Sequence, residues 1–315
     1  MNDFVAGVSI TCFAASYAVA LALEVSRLVF RSGVRGALMM GFAAAGLLAH
    51  LLYLWHRAAT SGALPLATAF DWYLLAAWAL AATYLYLTYY HPQVPVGLFI
   101  LPMVLALIAA AYFFADENPF TIDRASLWWG AAHGVLLLLG TIAVMIGFVS
   151  GVMYLLQASR LKHKRAARSR LRLPSLEWCE QVNSRAVVIS VLMLSAGLLA
   201  GLVLNMLPPR QQIPWTDPVV LSSSAMLVWL VAAGLFNALY RPARRGRKVA
   251  YLTVVSFLFL LVSLTVALLF ETRHGVTGPA SDAAGRRASC IAMTTAETPC
   301  AANTQRRSLS PGARR

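Results

Sequence analysis

Charge is scarce in this 315-residue chain, with only 12% of its residues Asp, Glu, Lys or Arg, about half the share of an ordinary soluble domain. Acidic residues are scarcer still, 12 against 26 Lys and Arg. Cysteine occurs four times, with neither a CxxC pair nor a CxxCH motif. That excludes a thiol oxidoreductase of the CxxC type and a chain that is itself a c-type cytochrome. No internal repeat and no long polar loop is present, so there is no solenoid and no separate soluble domain.

What is abundant is apolar surface. Hydrophobic residues make up 59% of the chain and the mean hydropathy is +0.68, a composition that implies a polytopic membrane protein. A hydrocarbon core of ~30 Å takes about 20 helical residues, because each backbone polar group must find its partner inside the helix. Eight runs meet that requirement, at 4–26, 36–56, 69–90, 94–115, 128–156, 187–207, 220–240 and 249–270. The expected fold is an all-α membrane helix bundle of about eight transmembrane helices over residues 1–270. The first run carries Glu24 and has neither a basic leading segment nor a small-residue cleavage site, so it reads as a retained helix. Residues 271–315, rich in Ala, Ser, Thr, Gly and Arg, lack apolar periodicity and read as a disordered tail.

The excess of basic residues gives orientation, not nucleic-acid binding, because it falls in short gaps between apolar runs. Arg27, Arg31 and Arg35 follow the first run; Arg160 to Arg172 follow the fifth; Arg241 to Lys248 follow the seventh. The gaps after the second, fourth and sixth runs carry one basic residue each, and the gap "HPQVP" after the third gives no vote. The basic gaps are assigned to the cytoplasm, which puts both termini and the tail on the outer side. Cys12 then lies in the first helix, Cys179 on the cytoplasmic side, and Cys290 and Cys300 in the outer tail.

Within that frame, four of the six histidines gather toward one leaflet. His133 lies about five residues into the fifth run, ~7 Å deep at 1.5 Å per residue. His50 lies similarly below the outer end of the second run, His56 at that end, and His274 just past the eighth, while His91 and His163 face the cytoplasm. Trp55, Trp72, Trp128, Trp129 and Trp215 share the outer level. An interfacial aromatic belt and interhelical hydrogen bonds account for such residues singly. Together, imidazoles and flat aromatic rings at one depth also suit a haem near the outer surface. The spacing does not distinguish that arrangement from a proton-relay histidine in a transporter.

The stretch "HGVLLLLGTIAVMIGFVSGVMYLLQASRLKHK", followed by "LPSLEWCEQVNSRAVVISVLMLSAGLLAGLVLN", resembles the cytochrome c assembly family, the CcsA/CcmC/HemX group with its YpjD-type inner-membrane members. The closing stretch "RRGRKVAYLTVVSFLFLLVSLTVALLF" with "RHG" after it resembles that family's end, and the likeness covers roughly residues 36–276. Members handle haem in the membrane and present it at the outer face for attachment to apocytochrome c. The resemblance implies a non-covalent, b-type haem held by His133 and His274. It also implies that Trp215 and Asp217 stand where the family has its tryptophan-rich haem-binding loop, and that His50 matches a histidine of the HemX-like members. The loop reads "IPWTDP", with one Trp, Thr216 between Trp and Asp, and no Lys after Pro218. It is thus shorter than the Trp-rich loop of the synthetase-type members and more similar to that of the HemX/YpjD branch.

The expectation is therefore a haem-handling protein of cytochrome c biogenesis in the bacterial inner membrane, positioning haem rather than catalysing a reaction by itself. Its partners would be the lipid bilayer, other assembly subunits and apocytochrome c. The alternatives are a haem-free scaffold or regulator working through the basic loop at 160–172, and a small-molecule transporter, which the scarcity of ionisable residues inside the helices disfavours.

Overall fold

The structure, a computed structural model, describes residues 9–27, 33–60, 68–92, 94–115, 124–162, 173–206, 214, 216–239 and 245–269. These form eight α-helices and no strand: α1 Ile10–Ser26, α2 Gly33–Thr60, α3 Ala69–Tyr90, α4 Gly97–Phe114, α5 Arg124–Lys162, α6 Leu176–Met206, α7 Pro218–Leu239 and α8 Arg245–Leu269. Each apolar run becomes one helix, as hydrocarbon requires. The expected disordered tail lies outside the described residues.

Two helices outrun their apolar stretches. α5 has 39 residues, about 58 Å at 1.5 Å per residue against a core of ~30 Å. α6 begins at Leu176, well before its apolar run at 187, so Glu177, Glu180 and Arg185 lie on its first turns rather than in a loop. Ser175 starts it, its Oγ accepting from the Trp178 N–H at 3.2 Å. Helical hydrogen bonding does not stop where hydropathy does, and a capped, charged extension continues it. Cys179, assigned from sequence to the cytoplasmic side, is fully buried in this helix.

Six of the eight helices are long and apolar enough to cross a membrane by length and composition, which makes this a multi-pass membrane protein. The other two are α1, 17 residues long as described, and α3, whose Tyr and Trp content lowers its hydropathy. Large aliphatic side chains stay exposed on the outer faces, Leu48, Leu199, Val228 and Leu258 among them. In water that would be a liability; in lipid it is the solvated surface.

The helices pack as two groups of four. In the first, α1 packs on α2 and α4, and α3 on α2 and α4; in the second, α5 packs on α6 and α8, and α7 on α6 and α8. Between the groups the principal pairing is α3 against α5, with His91 and Trp178 meeting edge to face at 5.4 Å elsewhere.

The tightest pair is α5 with α6, and glycines explain it. A Cβ on Gly140 would fall 2.6 Å from Leu194, one on Gly197 2.7 Å from Leu137, and one on Gly201 2.7 Å from the His133 ring. Side chains of each helix thus sit directly on the backbone of the other, the small-xxx-small packing that lets helices associate in lipid by dispersion alone. The run "GLLAG" at 197–201 is its sequence signature. Elsewhere in this group polar side chains bond across helices: Asn237 Nδ2 donates to Ser184 Oγ at 2.8 Å, and Trp229 Nε1 to Ser256 Oγ at 3.1 Å.

The first group closes around an ion pair at one end of α1. Arg27 Nη1 donates to Glu24 Oε2 at 3.0 Å, and Glu24 is 1% exposed. The other guanidinium nitrogen donates to the Pro92 carbonyl at 2.6 Å, tying α1 to the turn between α3 and α4.

Candidate functional site

His133 stands on the α5 face that meets α6, and the glycines opposite decide its pose. Gly201 leaves room for the imidazole ring, and the ring nitrogen Nδ1 lies 2.7 Å from the Gly197 carbonyl oxygen. A carbonyl only accepts, so Nδ1 carries the proton and donates, and the lone pair resides on Nε2. A backbone carbonyl holding one imidazole nitrogen is the usual support behind a histidine that ligates a metal through the other. Here the support comes from α6 while the ring comes from α5, so the pose of the imidazole depends on helix pairing rather than on a loop.

α5 begins at Arg124, so His133 lies nine residues from the helix start, about 13 Å along the axis. That is further from the helix end than the apolar pattern suggested, because Arg124–Leu127 continue the helix outward. Trp128 and Trp129, exposed at 82% and 43%, mark the intervening turn as an interfacial one.

The next residue brings in the other group of helices. A Cβ on Gly134 would lie 2.4 Å from Cη2 of Trp72, so the α3 indole is seated on the α5 backbone directly beside His133. Trp72 itself is held at the start of α3, where Thr68 Oγ1 caps the helix by accepting from the Asp71 N–H at 3.1 Å. Asp71 Oδ1 in turn accepts from Arg57 Nε of α2 at 2.6 Å, and the Arg57 guanidinium covers the Phe70 ring at 4.5 Å.

Asp217 is 4% exposed and ends the loop before α7. Its Oδ1 accepts from the Val219 N–H at 2.9 Å and its own N–H donates to the Pro214 carbonyl at 3.0 Å. It caps α7, whose first residue is Pro218. Trp215 and His274, the loop tryptophan and the second expected ligand, both lie outside the described residues, as do residues 163–172 of the basic segment.

His50 belongs to the first group of helices and is fully buried between α1 and α2. Its ring stacks on Phe13, centroids 4.1 Å apart and 5° from parallel, and Nδ1 lies 3.5 Å from Tyr17 Oη. Among the described residues its Nε2 has no hydrogen-bond partner, the condition of a buried imidazole with ligating capacity in reserve. His50 and His133 thus sit in different four-helix groups. No set of three or more His, Cys, Asp or Glu side chains able to hold a bare metal ion occurs among the described residues. Haem iron, with four bonds from the porphyrin, takes only axial ligands from protein, and a carbonyl-anchored imidazole fits that demand.

Sequence reading had singled out His133, His50 and Asp217 but not the groups that fix them. The spacing of Gly197 and Gly201 signals a close helix contact but not the histidine it holds, and Trp72 beside Gly134 carries no sequence signal, since nothing links positions so far apart. Among proteins of known family, a family model described as Cytochrome C assembly protein matches residues 42–274 of the chain. No curated protein matches it.

Proposed function

The chain belongs to the cytochrome c assembly family and so has a role in cytochrome c biogenesis, and on that premise we propose that it holds a non-covalent b-type haem through His133 and His274. The observation that carries the reading is the Nδ1 contact of His133 with the Gly197 carbonyl at 2.7 Å, which fixes the tautomer with its lone pair on Nε2. When bound, haem supplies redox-active iron and vinyl groups that apocytochrome cysteines attack. The protein's own part is to hold and orient.

His133 would hold the iron through Nε2 of a ring that α5 and α6 fix between them. Asp217 caps α7, and Trp215, two residues before it in sequence, would pack its indole on the porphyrin. Arg210, five residues before Trp215 in sequence, would supply a cation for a propionate. In this reading the His133 end of α5 faces outward, both termini lie outside, and the membrane is the bacterial inner membrane, where maturing cytochromes receive haem. His50, with its unpartnered Nε2, is the candidate for a second haem contact within the first helix group.

The test is the absorption spectrum of the full chain purified in detergent. A Soret band with sharp α and β bands on reduction is expected. A colourless preparation that stays colourless after haem is added overturns the reading and leaves a haem-free scaffold in the assembly system.

A further inference from the structure

Away from the histidines, a groove of about 410 Å³ runs between α7 and α8. Ala232, Ala233 and the rings of Trp229 and Phe236 line it from α7, and Tyr251, Leu252 and Val255 from α8. The polar atom of Trp229 does not reach it. Nε1 donates to Ser256 Oγ at 3.1 Å and to the Leu252 carbonyl at 3.4 Å, both on α8, and the ring is stacked against Phe259. What the indole shows the groove is therefore carbon.

The groove ends in positive charge. Lys248 lines it, and the Arg247 guanidinium lies 5.9 Å from the Tyr251 ring centroid. Both residues are exposed and stand just after the start of α8, where no acidic residue occupies the first turn and the helix dipole adds to the positive potential. From Lys248 to Val255 the wall runs about 10 Å into the apolar segment at 1.5 Å per residue. Both walls belong to candidate membrane spans, Pro218–Leu239 and Arg247–Ala267, so the opening faces lipid.

An apolar trough entered past two cations matches an amphiphile with an anionic head. We propose that it is a site for one acyl chain of an anionic phospholipid, with the phosphate against Lys248 and Arg247. A zwitterionic lipid would bring its own ammonium toward the same two cations, with no acidic side chain in the first turn of α8 to receive it. The site therefore selects by headgroup charge, and the chain that fills the trough fixes α7 against α8.

The full chain is reconstituted in phosphatidylcholine nanodiscs at matched haem content, with a minor fraction of lipid carrying brominated acyl chains, which quench tryptophan on contact. The Trp229 signal is the difference between wild type and Trp229→Phe. Brominated phosphatidylglycerol is expected to quench that signal at a mole fraction roughly fivefold or more below that needed by brominated phosphatidylcholine. Lys248→Gln with Arg247→Gln should abolish the preference while leaving quenching by phosphatidylcholine in place, and Ala232→Phe, which fills the trough, should reduce quenching by both. Equal quenching of wild type by the two lipids, or a preference that survives loss of both cations, overturns the proposal.

Discussion

The indole of Trp72 rests on the backbone of Gly134, with Cη2 only 2.4 Å from where a Cβ would stand, and so joins the two groups of helices one residue from His133. Any side chain at 134 must displace the ring or part α3 from α5. Gly134→Val is expected to cost on the order of 1–3 kcal/mol by overpacking, and Trp72→Ala a comparable amount through the cavity it leaves. Thermal unfolding in detergent measures both. Gly36→Ala and Gly41→Ala, at positions with open space around the added carbon, should lie within ~0.5 kcal/mol of wild type.

The pose of His133 gives a sharper expectation. His133→Ala should remove an axial ligand, moving the spectrum toward high spin and weakening haem retention, and added imidazole should partly restore the low-spin bands. Gly201→Leu should perturb the spectrum without touching a ligand, because its side chain would occupy the place of the imidazole ring. A normal low-spin spectrum in both variants removes His133 from the iron.

His50 separates packing from ligation by a different substitution. Phe in its place keeps a flat ring against Phe13 and removes the unpartnered Nε2. If His50 only packs, His50→Phe should be as stable as wild type with unchanged haem content. If it ligates, the haem-to-protein ratio should fall while the midpoint of unfolding stays put. Tyr17→Phe should cost no more than about 0.5 kcal/mol, since its 3.5 Å contact is long for a hydrogen bond.

The pair Glu24–Arg27 should behave as a unit. Arg27→Ala leaves the Glu24 carboxylate buried without its cation and frees the Pro92 carbonyl, and a loss of about 3–5 kcal/mol is expected. Glu24→Ala with Arg27→Ala should cost less than the two single changes together. Strict additivity in a double-mutant cycle would show that the 3.0 Å contact carries no coupling.

Orientation is best tested with engineered thiols. Cys179 is fully buried and Cys12 sits on the outer face of α1, so neither reports the side of the membrane. With Cys290 and Cys300 changed to Ser, Glu177→Cys, exposed two residues before Cys179, should react with a membrane-impermeant maleimide only after the cytoplasmic side is opened. Labelling in sealed, right-side-out cells would invert the assignment of the basic gaps.

Sequence alone made the helices legible, because hydrocarbon leaves the backbone one solution and eight apolar runs show where it is applied. The ends were less legible: α6 starts at Leu176 on a Ser175 cap, and α5 continues out to Arg124, in segments whose charge reads as loop. At the site, His133, His50 and Asp217 stand out by residue type. Their supports do not, because Gly197, Tyr17 and Trp72 act through a carbonyl, a hydroxyl and a ring that only tertiary packing brings near.

The division into two packed groups of four also says something about how the chain is made. Residues 10–114 complete their own set of helix contacts, including the buried Glu24–Arg27 pair, before α5 has been synthesised. The first group can therefore reach its native packing while the second is still in the ribosome and the insertion machinery. The junction at Trp72 and Gly134 is then the late step of biogenesis, and the pose of His133 is not final until α6 arrives to offer the Gly197 carbonyl. If His133 holds haem as proposed, a ribosome-stalled or truncated product ending before residue 197 would be membrane-integrated yet unable to take up cofactor through it.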